Sequence, residues 1–258
     1  MEILVCVKRV PDTSENEIEI NHAEHDIKRD DLVYSINEWD NYAVEEALQL
    51  VEHAGGSVSV VTVGGEDDEE VLRREMAMGA KSAALIADDA LVGTDGAGLA
   101  SALAAYVRKG HYDLVLTGVQ AEDGCAQVGG MLAALLDWPF ASLVNSIEVL
   151  DDTMLRITRE VEGGDREMHE IDLPCVLSIQ TGINEPRYVG MRGIRQVAAV
   201  PIPRLSAADL GLAPATARVQ RTDYFVAAQG KGAEILQGKP EEIAGKVIDL
   251  MKTHGGLR

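Results

Sequence analysis

A chain of 258 residues with 46% hydrophobic and 26% charged side chains can build one large globular domain, or one domain with an arm. Asp and Glu number 43 against 23 Lys and Arg, and the resulting net charge of −20 repels nucleic-acid backbone and anionic lipid. Aromatic residues make up only 4%, so the core must be aliphatic, and three cysteines without metal-ligand spacing argue against a disulfide framework or a metal site.

The chain runs from Met1-Glu2 straight into ILVCV, with no basic leader, and no apolar run is long enough to span a bilayer. The expectation is a cytoplasmic protein without direct membrane insertion. ILVCV (3–7) reads as a strand buried on both faces. Over 37–54, Val44, Ala47, Leu48 and Val51 share one helical face, with Asn37 as N-cap and Gly55 as stop. SVSVVTV (57–63) is a second strand, and Glu66 to Met78 a helix whose acidic first turn suits the macrodipole. SAALIA (82–87) is a weaker strand. Gly96-Ala97-Gly98 nearly matches a dinucleotide fingerprint but follows no clear strand, so it reads as the start of a helix bearing Leu99, Leu103, Tyr106 and Val107. DLVLTG (113–118) is the fourth strand, and Val128, Met131, Leu132, Leu135 and Leu136 mark the next helix.

This alternation predicts a doubly wound α/β unit over 1–136, a parallel sheet of Rossmann-like type with helices on both faces. Residues 141–150, 153–162 and 166–173 predict an antiparallel addition leading into the buried strand at 176–179. After Ser206 the periodicity is lost until a helix over Glu241–Lys252. The expected division is a domain over 1–204, with a loop at about 182–199, and a C-terminal arm over 205–258 with little core of its own, which would pack on another surface such as a second subunit.

In such sheets ligands bind beyond the carboxyl ends of the strands. Lys8 to Thr13, Gly64-Gly65 and Gly118 to Gly124 all follow strand ends, and the helix start near 126–129 offers free N–H groups to a phosphate. On spacing alone this fits a nucleotide site and plain turn chemistry equally. There is no phosphate-binding GxxxxGK[ST], no HExxH and no nucleophile elbow, and the six histidines are scattered. No catalytic residue is expected, so a binder or carrier is favoured over a hydrolase or ligase. At 184–188 the polar, rigid Asn-Glu-Pro-Arg-Tyr follows a core strand, where Pro186 fixes its own φ and pushes Glu185 towards an extended shape.

VCVKRVPDT (5–13), SINEWDNYAVEEAL (35–48), AMGA (77–80), DLVLTGVQAEDG (113–124), LLDWPFAS (135–142) and above all LPCVLSIQTGINEPRY (173–188) together resemble the beta subunit of electron-transfer flavoproteins over essentially the whole chain. The resemblance implies an electron carrier rather than a stand-alone enzyme, paired with an alpha subunit that binds most of one FAD. It would pass electrons between dehydrogenases, of acyl-CoA type, and a downstream oxidoreductase or quinone-linked acceptor. This subunit would help wall that FAD and hold AMP or, in electron-bifurcating members, a second FAD. The matched nucleotide positions are Cys6, Asn37, Glu38, Trp39, Asp40, Gly65, Gln120, Asp123, Gly124, Cys125, Ala126, Gln127, Val128 and Gly129.

Asn184, Glu185, Pro186, Arg187 and Tyr188 would brace a partner-docking loop, with Met191 as its inserting apolar residue; the alternative for Met191 is a local core position in a short helix. Arg195 to Ala199 stands where simple carriers are lysine-rich. The 120–129 loop and Val10 to Thr13 look like the bifurcating type, whereas Leu136 to Pro139 looks like the simple type, which leaves AMP and a second FAD both open. A free-standing adenine-nucleotide sensor of the universal-stress type is the competing reading, but it needs neither the 184–188 segment nor the arm.

Overall fold

The computed structural model describes residues 1–23, 25–121, 124–212, 217–219, 222–227, 230 and 232–256. In chain order they form β1 (Glu2–Cys6), β2 (Arg9–Pro11), β3 (Ile20–Asn21), β4 (Asp26–Ile27), β5 (Tyr34–Ile36), α1 (Glu38–Ala54), β6 (Ser57–Val63), α2 (Glu69–Met78), β7 (Ser82–Ile86), α3 (Gly96–Val107), β8 (Leu114–Gly118), α4 (Val128–Leu136), β9 (Phe140–Asp151), β10 (Met154–Glu160), β11 (Arg166–Asp172), β12 (Cys175–Ile179), α5 (Met191–Val197), β13 (Arg204–Leu205) and α6 (Pro240–Thr253).

Nine strands make one sheet in the order β11-β10-β9-β12-β8-β1-β6-β7-β13. It is parallel from β9 to β13, and β10 and β11 add antiparallel strands beyond β9. The mainly parallel α/β fold expected from the sequence, with its antiparallel addition, is therefore present. β1 lies between β6 and β8, so Val5 pairs with Val60 on one side and Leu116 on the other. Side chains alternate across a strand. Ile3 and Val5 thus join the core under α1 and α2, with Leu48 and Leu72, while Leu4 and Cys6 join the opposite core under α3 and α4, with Leu103 and Leu132. Burial on both faces explains the unbroken β-branched runs in these strands.

Two local departures from the expected elements have physical causes. The helix expected from Glu66 opens instead as a 3-10 turn over Glu66–Asp68, because the Asp68 carboxylate folds back to accept the Gly65 N–H at 2.7 Å. The strands β2 and β5, which pair with each other, are too short to show a period of two. Gly96 does start α3, and the Asp95 side chain caps it by accepting the Gly98 N–H at 3.0 Å.

The chain divides into two compact units, Met1–Thr222 and Asp223–Arg258. In the first, the stretch after β13 is tied to the loops that precede α3: the Ala207 N–H donates to Asp88 at 2.8 Å, and the Arg218 and Val219 N–H groups donate to Asp95 at 2.6 and 3.0 Å. The second unit contains α6, which begins with Pro240 and leaves Val247, Ile248, Leu250 and Met251 part-exposed along its length. Among the described residues no helix is long and apolar enough to cross a membrane.

The sheet sets a tight limit on α4. Thr117 and Ser178 hydroxyls share a buried 2.8 Å hydrogen bond across β8 and β12, and Gly129 lies directly over them. A Cβ at Gly129 would sit 2.2 Å from Ser178 Oγ and 2.9 Å from Thr117 Oγ1. Gly129→Ala should therefore destabilise the protein by about 1–3 kcal/mol through overpacking, although alanine is intrinsically the better helix former by about 1 kcal/mol. Thermal or urea melting checks the sign.

Candidate functional site

The chain passes outward through β1, β6 and β7, then returns to place β8 on the other side of β1. That reversal opens a crevice between the carboxyl ends of β1 and β8, the place where open α/β sheets bind ligands. One side chain closes its floor. Asp40, in the first turn of α1, is buried; its Oδ2 accepts the Lys8 N–H and its Oδ1 accepts the Gly118 N–H, both at 2.9 Å. The carboxylate thereby joins two strand ends that no longer pair with each other. Gly118 permits the approach, since a Cβ there would lie 2.5 Å from Asp40 Oδ1 and 2.6 Å from Trp39 Cβ.

Asn37 stands beside this bridge and is fully buried. It occupies the N-cap position of α1, but its side chain makes no capping hydrogen bond. Instead Nδ2 donates to the Gln120 carbonyl at 2.8 Å, while its own N–H donates to the Lys8 carbonyl at 2.8 Å. The expected cap is thus replaced by a tether between the loops after β1 and β8. Asn37 Oδ1 is buried and has no hydrogen-bond partner among the described residues.

The other expected nucleotide positions fall around this centre unevenly. Cys6 ends β1, and burial, followed by the negative field of Asp40, pushes its thiol far above the usual range, so it is no nucleophile. Glu38 is exposed, whereas Trp39 is half-buried and donates from Nε1 to Gln180 Oε1 at 3.2 Å. Gly65 is exposed and its N–H is already bonded to Asp68. Gln120, Gly124, Cys125, Ala126 and Gln127 are exposed in the loop after β8, with Ala126 in the left-handed region at φ 53°, and Val128 and Gly129 form the first turn of α4. The N-cap residue Gln127 makes no side-chain capping hydrogen bond, so among the described residues the amide groups of that turn are open to an anion. Asp123 lies outside the described residues.

A cleft of about 410 Å³ adjoins the crevice, lined by Trp39, Gln120, Ala126, Phe140, Leu143 and Gln180 among others. Phe140 and Gln180 lie in stretches that carry the family resemblance but are not among the expected site residues, and Leu143 lies outside those stretches. Leu143 has φ 59° where β9 loses register with β12, and nothing in its neighbours announces that kink.

The residues matched to docking form a second, separate arrangement. Asn184 Nδ2 donates to the Tyr42 carbonyl at 3.1 Å and to Glu46 Oε2 at 2.9 Å. The Arg187 guanidinium takes Glu45 with both arms, at 2.8 and 3.0 Å, and Glu52 at 2.7 Å, and its backbone N–H adds a 3.0 Å bond to Glu45. Burial opposes charge on Glu45, but the Arg187 hydrogen bonds outweigh it and hold the carboxyl below its ordinary range. Glu185 is exposed and Pro186 half-buried. Tyr188 is 92% exposed and Met191 65% exposed, so Met191 is not a core residue of α5.

Burial raises Asp40 to about 7, against about 3.9 for the free side chain. Between roughly pH 4 and 7 the folded chain therefore keeps a proton that the unfolded chain has released, and stability falls as pH rises through that window. Glu75, buried in α2 beside Arg74 and likewise raised to about 7 by burial, adds a slope of the same sign. In Asp40→Asn the Asp40 share of the slope should vanish, and one strand-end N–H should face an amide NH₂ at a cost of about 1–3 kcal/mol. Urea melts across this pH range read both effects.

A family model described as the electron transfer flavoprotein domain matches residues 26–210. The chain is 36% identical to the electron transfer flavoprotein subunit beta of Methylophilus methylotrophus, over 99% of this chain and 100% of that protein. It is 35% identical to the Bacillus subtilis subunit beta and 35% identical to the caffeyl-CoA reductase-Etf complex subunit CarD of Acetobacterium woodii, over 98% of both chains in each case. Likeness of this extent, over a sheet whose switch-point crevice and 184–188 segment have just been described, shows that the chain belongs to the electron transfer flavoprotein beta-subunit family.

Proposed function

We propose that this protein is the nucleotide-holding half of a two-subunit electron carrier, with its crevice between β1 and β8 occupied by an adenine nucleotide and its 184–191 segment presented to dehydrogenases. The observation that carries the nucleotide reading is Asn37. Its buried Oδ1 has no partner among the described residues, a costly arrangement that a ligand N–H or O–H would relieve. The exocyclic amine of adenine and a ribose hydroxyl are both donors of that kind. Asn37 is held for the task by Gln120 and Lys8, and Asp40 fixes the two strand ends on either side. The first turn of α4, which Gln127 does not cap, suits a phosphate, whereas the first turn of α3 is already taken by Asp95.

The residues present therefore fit AMP or the adenylate half of a FAD. The flavin, held mainly by the alpha subunit, would supply the redox chemistry when bound. The apolar and aromatic lining of the adjoining cleft, with Trp39 and Phe140, would keep water from its edge. Of the arm expected over 205–258, the stretch Asp223–Arg258 is a unit of its own with a part-exposed apolar helix, and this part would pack on the alpha subunit. One relative is named as a subunit of a caffeyl-CoA reductase-Etf complex, which supports CoA-ester dehydrogenases or reductases as the partner class. We place the carrier in the cytoplasm.

The test is the nucleotide content of the heterodimer formed with its alpha subunit, denatured and quantified. One FAD with one AMP identifies a one-flavin carrier, and two FAD without AMP an electron-bifurcating one. A complex without adenine nucleotide beyond a single FAD sinks the reading of the crevice. Asn37→Leu, which removes the acceptor and both donors, should weaken retention of the AMP or second FAD by about tenfold or more while leaving the alpha-bound flavin in place.

A further inference from the structure

α1 carries two glutamates, Glu45 and Glu46, that are buried at mid-helix, where an amphipathic helix on a sheet should carry apolar residues. Both are taken up by the segment that precedes α5: Glu46 by Asn184, and Glu45 by Arg187. Near the start of the same segment, Gln180 bonds the Trp39 indole in the first turn of α1. The segment 180–187 is therefore fastened to one helix at residues 39, 42, 45, 46 and 52, almost its whole length. The far end of α5 is held separately. Arg73 of α2 donates to the Val197 and Val200 carbonyls at 2.9 and 3.3 Å, and Gly193 lets α5 lie close on Ala77, where a Cβ would meet the Ala77 carbonyl at 3.3 Å.

Between these two anchorages Tyr188 and Met191 are largely exposed to solvent. We propose that Arg187 and Glu45 are positioning residues for partner docking: the pair fixes the start of α5 on α1, and so presents Tyr188 and Met191 in a fixed register to the nucleotide crevice at the other end of that helix. The proposal rests on the docking reading of 184–191. A two-armed Arg–carboxylate bond constrains direction as well as distance, which lysine cannot reproduce with a point charge. A preset loop spares the encounter the cost of ordering it, so the pair acts on the affinity of docking and not on the electron transfer that follows.

Arg192 and Arg195 are exposed in α5 and give trypsin two cleavage sites that report local opening without any partner. The experiment uses the flavin-loaded heterodimer as wild type, Arg187→Gln and Arg187→Lys, with Glu45→Gln as the replacement should Arg187→Gln not fold. Three quantities are read: nicking at Arg192 and Arg195, KM and kcat for a purified acyl-CoA dehydrogenase that reduces the complex, and reoxidation by a small dye acceptor.

Arg187→Gln should be nicked about tenfold faster and raise KM for the dehydrogenase about tenfold, with kcat and dye reoxidation within about twofold of wild type and Arg187→Lys between the two. Unchanged nicking overturns the clamp. Faster nicking with unchanged KM overturns its role in docking and leaves Arg187 a structural residue. A wild-type complex that the dye oxidises but no acyl-CoA dehydrogenase reduces overturns the docking reading itself, an outcome recognisable because the wild type, and not the variants, fails.

Discussion

A parallel sheet that reverses its winding has two neighbouring strands whose chains depart in opposite directions, and at that place the backbone runs out of partners. Here the departing ends are Lys8 and Gly118, and the single carboxylate of Asp40 takes an N–H from each. Water could satisfy those amides equally well, but it could not hold them a fixed distance apart. Burial makes the carboxylate expensive and the two amides repay part of that cost. In the same turn of α1, Asn37 reaches the Gln120 carbonyl and Trp39 reaches Gln180, so the helix start that holds Asp40 also ties down neighbouring strand-end groups.

The same helix that supplies Asp40 supplies Glu45, Glu46 and Glu52, so α1 serves two surfaces of the molecule at once. Its apolar face lies on β1, β6 and β8 through Val44, Ala47 and Leu48, which anchors it against rotation. Polar residues in the middle of a buried helix are normally a liability. On α1 they are satisfied by Asn184 and Arg187, groups 138 to 142 residues away in sequence. The long polar network is thereby a fold-determining contact as well as a feature of the candidate interface.

The sequence made the strand–helix alternation, the antiparallel addition and most element bounds legible, because two-sided burial leaves aliphatic runs in β1, β6, β8 and β12 and stripes in the helices between them. The short ladder of β2 with β5 was not legible, since three-residue strands carry no period. In the site, the family resemblance pointed to Asn37 and Asp40, but spacing could not reveal that Asn37 forgoes its capping role for a loop 83 residues on. Nor could it show Gln180 against Trp39 or the left-handed Leu143, because both depend on which strands become neighbours. The polar segment at 184–188 stood out as an anomaly, and its partner glutamates did not, since acidic residues in a helix read as a solvated face until the packing is known.

Along the 184–191 stretch, the residues that grip and the residues that project are different ones. Asn184 and Arg187 face inward to α1, while Tyr188 and Met191 are largely exposed. Mutational drift is therefore partitioned along eight consecutive positions. On the proposed docking reading, substitutions at the outward pair would retune recognition without disturbing the fold, while the inward pair stays under the constraint of two buried glutamates. A lineage that docks partners in this way would change clients by point mutation and keep the same socket.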